Sequence, residues 1–468
     1  MAKIHPPQHI HLVGIGGSGL SAIARVLLGQ GYRVSGSDRA ANVLTEALAR
    51  DGAAVYTGHD ARYIAGADAL IITSAVNESH VEVAAARAAG VPIYRRQDIM
   101  ADLMEGRMVI AVAGTKGKTT TTSMIVHILR MCGQDPGYIV GGVMGSTGTN
   151  AGVGKGDYFV VEADEYDNMF LGLKPDIAVI TNIEWDHPDF FRTPEAMVEA
   201  FQAFADLVPA AGALVVNADD PTANRLAKQQ EQVREIVHRY RVNSTNDYLY
   251  RAYNPEPDAN GGMTFAVSGF LREPHAPRLP VRLPVPGMHN VQNALAALVA
   301  SSLANCSPRD AAKALESFVP PARRFEVRAD VNGVAVIDDY AHNPMSIRAV
   351  LEAARRRYPA RAIWAVWQPH TYSRTQALWD DFKTAFALAD HVLVTDIYAA
   401  REQPVEGVNS AALVAAMPHP DARHTPAFSE AVNALREGVQ PPAAIIIMSA
   451  GDAPQIGVDY LKGLEARR

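Results

Sequence analysis

Residues 108–131 have the sequence MVIAVAGTKGKTTTTSMIVHILRM. An apolar run precedes a turn of glycine and lysine, and a helix-type run follows, which predicts the order strand, loop, helix. In such a loop, backbone N–H groups cradle phosphates, with Lys118 on the β- and γ-phosphates and Thr119 on Mg²⁺. Val112 occupies the first glycine position of the usual GxxxxGK[ST] pattern, and Gly114 supplies the flexibility instead. The alternative is a surface turn that contains GKT by chance.

Runs typical of strands and helices alternate on both sides of this loop. The alternation predicts parallel sheets with crossover helices. Short strand-type runs broken by Asn, Gly and Pro between about Asn243 and Pro286 predict a small β-rich excursion, and PPARRF at 320–325 predicts a linker. We therefore expect an α/β protein of three domains. They are an N-terminal Rossmann-like domain (1–107), a central P-loop-type ATPase-like domain (108–324) and a C-terminal Rossmann-like α/β domain (325–468).

Composition narrows the class of partner. The 468 residues carry a net charge of −7 without a long basic run, which argues against nucleic acid and an anionic membrane surface as partners. No apolar run approaches ~20 residues, so no membrane insertion is expected. Residues 1–8 lack the pattern of a secretory signal. Cys132 and Cys306 each stand alone in an apolar-flanked helical pattern, which supports neither a disulfide framework nor a zinc site. We expect a cytoplasmic enzyme that acts on small molecules.

A second glycine turn lies near the N-terminus. Gly14, Gly16 and Gly19 form GxGxxG after an apolar strand, and Asp38 follows where a ribose-binding acid stands in dinucleotide folds. Three interpretations remain open on these residues alone: a dinucleotide site of a dehydrogenase, a site for the diphosphate of a UDP compound, and tight packing of helix on strand.

Acidic residues follow two strand-type runs of the central segment. The first run ends in Glu162, Asp164, Glu165 and Asp167, and the second delivers Asn182, Glu184, Asp186 and His187. Both ends should lie at one edge of the sheet, where α/β folds bind ligands. So many acids would repel one another without a cation, so a metal is the expected partner. For His187 the alternative is an ordinary surface histidine.

Further candidates lie in the last third of the chain. His289 and Asn293 are spaced i, i+4 at a helix start, where they can share one face. Arg323 and Arg324 lie on the predicted linker, from which a guanidinium could reach a γ-phosphate. Two more strand ends carry Asp338, Asp339, Tyr340 and His342, and His370, Tyr372 and Arg374. The alternatives are an ordinary helix start, a charged linker and solvated loops.

With these residues assembled, the chain resembles the Mur ligase family over essentially its whole length. The matching segments occur in the family's order: HLVGIGGSGLSAIA, SGSD, GTKGKTTTT, GTNA, EADEYD, TNIEWDH, GMHNVQNALAA, RRFE, DDYAHNP and QPHTYSRT. The resemblance implies that the first domain binds a UDP-sugar and not NAD, the central domain binds ATP, and the third brings in an amino acid.

The resemblance also implies a reaction. It is the ATP-dependent joining of L-alanine to the carboxylate of UDP-N-acetylmuramate through an acyl phosphate, in the synthesis of peptidoglycan precursors for the cell wall. The alternative within the family is the joining of a murein tripeptide to the same acceptor, and QPHTYSRT and YAAREQPVEGV favour L-alanine. Alternatives from other classes are a non-catalytic nucleotide-binding sensor and an NAD-dependent oxidoreductase. ATP and Mg²⁺ are the implied cofactors, and the chain is expected to be a monomer or weak homodimer.

The family pattern further implies roles for individual residues. Lys118, Glu162, His187 and Arg324 are the expected catalytic residues, and Thr119, Glu162 and His187 the expected metal ligands. The ATP-binding set is Gly114, Thr115, Lys116, Gly117, Lys118, Thr119, Thr120, His289, Asn293, Arg324 and Asp339. The set for the UDP-sugar and amino acid is Gly16, Gly17, Ser18, Asp38, Thr149, Asn150, Glu165, Tyr340, His342 and Arg374. Lys116, Asn343 and Thr371 depart from the family pattern, in which histidine, histidine and arginine are expected.

Overall fold

The computed structural model contains three β-sheets, each packed against helices. It describes residues 4–6, 8–73, 76–188, 190–233, 236–242, 250–270, 278–400 and 402–465. Buried apolar residues lie on both faces of every sheet, as in the third sheet, where Ile337 belongs to one cluster and Val336 to another. Within these ranges, no helix has both the length and the apolar character needed to cross a bilayer.

The first sheet has five parallel strands in the order β3-β2-β1-β4-β5. The chain reverses direction across the sheet at β1, which creates a crevice at the carboxyl ends of the strands. The predicted Rossmann-like fold is confirmed. Its elements are β1 (His9–Val13), α1 (Ser18–Gly29), β2 (Arg33–Asp38), α2 (Val43–Arg50), β3 (Ala54–Thr57), β4 (Ala69–Ile72), α3 (Val81–Ala88), β5 (Ile93–Arg95) and α4 (Arg96–Leu103).

The central sheet has ten strands in the order β15-β14-β13-β12-β11-β10-β6-β9-β7-β8. Its elements are β6 (Met108–Ala113), α5 (Lys118–Met131), β7 (Gly137–Ile139), β8 (Ala151–Gly152), β9 (Tyr158–Glu162), β10 (Ile177–Ile180), α6 (Pro194–Asp206), β11 (Ala213–Asn217), α7 (Pro221–Gln230), β12 (Val237–Val242), β13 (Tyr250–Pro257), β14 (Met263–Ser268), β15 (Leu279–Leu283), α8 (Met288–Leu303) and α9 (Pro308–Leu315). The predicted β-rich excursion is the antiparallel run β13-β14-β15, which extends this sheet because β13 pairs with β12. Its segments 243–249 and 271–277 lie outside the described residues.

The third sheet has six strands in the order β16-β17-β21-β18-β19-β20, parallel except for the β16-β17 pair. The elements are β16 (Glu326–Val331), β17 (Val334–Asp339), α10 (Pro344–Arg357), β18 (Ala362–Trp367), α11 (Tyr372–Ala377), α12 (Trp379–Thr384), β19 (His391–Val394), α13 (Ser410–Ala416), β20 (Ala422–His424), α14 (Phe428–Gly438), β21 (Ala443–Met448) and α15 (Pro454–Glu465).

The apolar cores are distributed unequally among the three sheets. One continuous cluster joins residues of the first sheet, such as Leu12, to Ala111 of the central sheet and to Phe201 of helix α6, which packs on that sheet. The clusters of the third sheet contain only residues from Phe325 onward. The first two sheets therefore share buried surface that the third does not.

The structure corrects the expectation for the cysteines. Cys132, which ends α5, and Cys306, between α8 and α9, form a disulfide with a Cα–Cα distance of 6.1 Å. Helix α5 packs against both α8 and α9, which brings together two residues separated by 174 positions. The expectation of two separate thiols was wrong because sequence distance does not reveal this packing.

Candidate active site

A cavity of about 910 Å³ lies where the three sheets meet. The first domain contributes Ser18 to its wall, the phosphate loop contributes residues 115–120, and the third domain contributes Tyr340 and Arg374. These side chains follow the carboxyl ends of parallel strands, the edge at which α/β folds bind ligands. The cavity is therefore the candidate active site.

The loop between β6 and α5 is shaped by two glycines with positive φ. Gly114 has a φ of 140° and Gly117 a φ of 83°, values that L-residues with a side chain rarely adopt. A Cβ on Gly114 would also collide with the Thr181 hydroxyl. The glycines thus allow the backbone to turn sharply and leave the N-terminus of α5 facing the cavity, a position that favours anions.

Lys118 is held at the start of α5 by two acceptors. Its Nζ donates to the Gly114 carbonyl oxygen at 2.8 Å and to Glu165 Oε2 at 2.6 Å. Although burial lowers the pKa of Lys118, the neighbouring carboxylates Glu165, Asp164 and Glu162 raise it above its ordinary value. The ammonium group is therefore charged, and a cation at a helix N-terminus can neutralise an anion there.

The acidic strand ends converge as the sequence predicts. Glu162, at the end of β9, accepts from the Thr119 hydroxyl at 3.0 Å and from the Gly141 backbone N–H at 2.6 Å. Burial raises the pKa of Glu165 to about 7, and Lys118 opposes the rise. In the described part of the chain, Glu165 Oε1 is buried without a hydrogen-bond partner, 3.8 Å from His187 Nε2. An orphaned acceptor of this kind fits a cation.

His187 adopts a backbone conformation that is rare outside glycine, with a φ of 56°. Burial lowers the pKa of its imidazole to about 4, and Asp186 opposes the fall. A neutral imidazole is the form that ligates metals. Strained backbone of this kind clusters at functional sites, which agrees with a role for His187 beyond that of a surface histidine.

Asp186 connects the central and third sheets. The carboxylate accepts from Lys116 Nζ at 2.6 Å and from Arg374 Nη2 at 3.0 Å. Burial would raise the pKa of Asp186, but Lys116 and Arg374 hold it well below the usual range. The sequence places Asp186 among the acids of a strand end but does not reveal this role, because its partners lie 70 positions before it and 188 positions after it.

The two arginines of the linker make different hydrogen bonds. Arg324 Nη2 donates to the Thr119 hydroxyl at 3.2 Å and lines the cavity. Arg323 also lines the cavity, but its Nη2 donates to the backbone oxygens of Ser449 at 2.5 Å and Gly451 at 3.1 Å. Asp339 accepts from the backbone N–H groups of Phe325 and Ala341, and so fixes the start of the third domain.

Histidines and amides complete the wall. His289 and Asn293 both line the cavity, as the i, i+4 spacing suggests, and Asn293 is buried against Gly117. Burial lowers the pKa of His289 to about 4, with Arg324 adding to the effect. His342 Nδ1 lies 2.8 Å from the Tyr340 carbonyl oxygen and shares the third-domain side of the cavity with His370.

The candidates for the UDP-sugar come from the first and central domains and divide into two groups. Asn150 donates to the Ser18 carbonyl oxygen and to Ser21 Oγ, both at 3.0 Å, and lies in the cavity wall with Ser18. The Asp38 carboxylate turns back onto the first glycine turn, where it accepts from the Gly16 N–H at 2.8 Å. Five residues of the predicted catalytic, ATP-binding and substrate-binding sets do not line the cavity in the part of the chain that the structure describes: Gly16, Gly17, Asp38, Gly114 and Thr149.

Arg96 is a cavity residue that the motifs did not reveal. It begins α4, and its guanidinium lies directly over Gly19, where any Cβ would meet it. Its Nη2 is 3.7 Å from Asp164 Oδ2. The third glycine of GxGxxG therefore makes room for a cation, which no local pattern in residues 93–96 indicates.

Comparison with known proteins agrees with this geometry. Three family models match in order: the Mur ligase family catalytic domain at residues 9–108, the Mur ligase middle domain at 112–301, and the Mur ligase glutamate ligase domain at 323–451. The chain belongs to the Mur ligase family. It is 42% identical to the UDP-N-acetylmuramate–L-alanine ligase of Roseiflexus sp. (strain RS-1), over 96% of this chain and 98% of that protein. The enzyme of the same name from Syntrophus aciditrophicus (strain SB) is 41% identical, over 98% and 94%.

Solved structures give the same picture. The UDP-N-acetylmuramate-alanine ligase MurC of Thermotoga maritima superposes with a TM-score of 0.82 at 26% identity and covers 98% of this chain and 100% of its own. A murein peptide ligase of Psychrobacter arcticus 273-4 superposes with a TM-score of 0.75 at 25% identity, over 98% of each chain. The predictions of family and three-domain fold are confirmed.

Proposed function

We propose that this chain is an ATP-dependent ligase that joins L-alanine to the carboxylate of UDP-N-acetylmuramate in peptidoglycan precursor synthesis. The prediction agrees with the names of relatives about 40% identical over nearly the whole chain. The structural observation that carries it is one cavity whose wall combines the phosphate loop, Ser18 and Gly19 from the first glycine turn, and basic residues of the third domain. A dehydrogenase or a simple nucleotide sensor has no use for that combination. The proposed compartment is the cytoplasm, where ATP is available.

We assign the substrates to the three parts of the chain. Residues 1–107 take the UDP-sugar, with Ser18 at the edge of the cavity and Asn150 of the central domain bonded to it. Residues 108–324 take ATP, and residues 325–468 present the amino acid. Arg96 adds a cation beside the glycine turn, where a diphosphate would need one.

The reaction has two steps. An oxygen of the acceptor carboxylate attacks the γ-phosphorus of ATP, and ADP leaves as the P–O bond breaks. The amine of L-alanine then attacks the acyl carbon, phosphate leaves with the electron pair of the C–O bond, and the nitrogen loses a proton. Lys118 and Arg324 flank Thr119, so both can neutralise the transferring phosphoryl group.

The donor set also fits Mg²⁺. The Thr119 hydroxyl and Glu162 carboxylate are oxygen donors 3.0 Å apart, and the orphaned Glu165 Oε1 lies near the neutral His187. Mg²⁺ prefers oxygen ligands together with substrate phosphates, and when bound it would supply charge neutralisation at those phosphates. We propose Thr119, Glu162 and His187 as its protein contacts.

The test is ADP release in the presence of ATP, Mg²⁺ and UDP-N-acetylmuramate, with L-alanine, glycine, L-serine or murein tripeptide as the amine. L-Alanine should give the highest kcat/KM, and omission of either the amine or the acceptor should abolish release. Preference for the tripeptide would replace the proposed function by that of the murein peptide ligases, one of which is structurally similar. NAD reduction with no ADP release would refute both.

A further inference from the structure

In the part of the cavity proposed to hold the amino acid, two cationic side chains donate to the carboxylate of Asp186. Arg374 from α11 donates to Asp186 Oδ1 through Nε at 3.2 Å and Nη2 at 3.0 Å, and Lys116 from the phosphate loop donates to Oδ2 at 2.6 Å. One negative charge thus faces two positive charges. Glu184, a further carboxylate in the cavity wall, also interacts with Lys116, so the case for a carboxylate ligand rests on the donors that the two cations leave free.

The donors of Arg374 are largely committed within the protein. Besides its two bonds to Asp186, its Nη1 lies 3.0 Å from His370 Nδ1, and its side chain is only 6% exposed. A substrate carboxylate would have to displace a buried carboxylate to reach this guanidinium. Arg374 therefore acts as a fixed charge that positions Asp186.

The ammonium group of Lys116 is accessible from the cavity and can donate further hydrogen bonds. Its side chain is 24% exposed, and across the described ranges Asp186 takes one of the three N–H donors of its ammonium group. Its backbone N–H donates to Asn182 Oδ1 at 2.8 Å, so this amide is already occupied. The side chain thus extends from the phosphate loop toward the third domain.

From this geometry we propose that Lys116, which the family pattern placed with ATP, instead binds the α-carboxylate of the incoming amino acid. Arg374, which the family pattern placed against the substrate, then acts through Asp186 to position the Lys116 ammonium. This inference rests on the proposed function and deepens it. Lys116 lies two positions before Lys118, so the amino-acid carboxylate and the transferring phosphate are held by one short loop. That arrangement brings the amine close to the activated acyl group.

The test compares an amino acid with its amide. L-Alaninamide keeps the nucleophilic amine and lacks the carboxylate, so the ratio of its KM to that of L-alanine measures carboxylate recognition. In the wild type this ratio should be roughly 10 to 100, the value of a charge-assisted hydrogen bond. In Lys116→Met it should fall to within about threefold of unity, with the KM for ATP changed by less than about threefold. Lys116→Arg should restore most of the discrimination.

Lys155→Met, at an exposed lysine of the same domain, serves as the control and should match the wild type. A Lys116→Met enzyme that still discriminates as the wild type does, or in which only the KM for ATP rises, would overturn the inference. If the wild type uses another amine than L-alanine, the proposed function fails. The same acid-to-amide ratio, measured with that amine, still decides the role of Lys116.

Discussion

The Nη2 atom of Arg324 lies 3.2 Å from the hydroxyl oxygen of Thr119, 205 positions earlier in the chain. Thr119 is in the first turn of α5, and Arg324 is in the segment that leads into the third sheet. The contact connects the position of the third domain to the N-terminus of α5, the proposed phosphate site. A guanidinium placed in this way can sense and neutralise a phosphate only when the two domains are together.

The two linker arginines should therefore give different kinetic phenotypes. Arg324→Ala removes a cation from the phosphate site, so we expect kcat to fall roughly 100-fold or more with little change in thermal stability. Arg323→Ala removes bonds to the backbone oxygens of Ser449 and Gly451, so we expect a lower Tm and a smaller loss of kcat. Steady-state ADP release and thermal melts of both variants check this. Equal kinetic losses would contradict the assignment of Arg324 to phosphate.

Lys118→Ala should abolish ligation without unfolding the chain. Loss of a preorganised phosphate contact costs ~10²-fold or more in rate. The partner left behind, Glu165, has a pKa raised to about 7 by burial, so it can take up a proton when the ammonium is removed. Lys155→Ala, at an exposed lysine, is the matched control for ADP release and circular dichroism. Near-normal turnover in folded Lys118→Ala protein would refute the role.

Alanine substitutions at Gly114 and Gly133 should distinguish the effect of steric collision from that of backbone strain alone. Both have positive φ, at 140° and 79°, but an added Cβ meets the Thr181 hydroxyl only at Gly114 and finds open space at Gly133. Gly133→Ala should cost about 1 kcal/mol of unfolding free energy with activity retained. Gly114→Ala should cost roughly 1–3 kcal/mol and abolish ADP release, since the phosphate loop must shift. Denaturant unfolding and activity assays check both, and an active Gly114→Ala enzyme would contradict the loop geometry.

The pH dependence of stability should reflect His289. Burial, with a contribution from Arg324, lowers the pKa of His289 to about 4 in the folded state, against about 6.5 in an unfolded chain. Between these values the unfolded state binds the extra proton, so stability is full above about pH 6.5 and falls as the pH drops toward 4. His289→Asn should reduce the decline by roughly 1–3 kcal/mol. Thermal melts between pH 6.5 and pH 4 measure this loss of stability, with His5→Asn at an exposed histidine as the control. The same decline in His289→Asn as in the wild type would exclude His289 as its cause.

Local patterns predicted the fold well because its elements are locally encoded. The strand MVIAVA and the helix beginning at Lys118 are recognisable from apolar periodicity and glycine placement, and the acids at 162–165 follow their strand directly. Asp186 and Arg96 show the limit. Each acquires its role from partners that the fold brings from other elements, and neither lies in a pattern that names those partners. The pairing of Cys132 with Cys306 was missed for the same reason.

The shared apolar cluster of the first two sheets should determine the number of cooperative units in thermal unfolding. Residues such as Leu12 and Phe201 belong to one buried network, so neither sheet can open without exposing apolar surface of the other, whereas the third sheet closes its own clusters from Phe325 onward. The chain should therefore melt as two cooperative units and not three. Scanning calorimetry would detect the third domain as a separate transition, and a nucleotide bridging Thr119 and Arg324 would draw the two transitions together. The third domain can thus vary its stability, and tolerate substitution, independently of the other two.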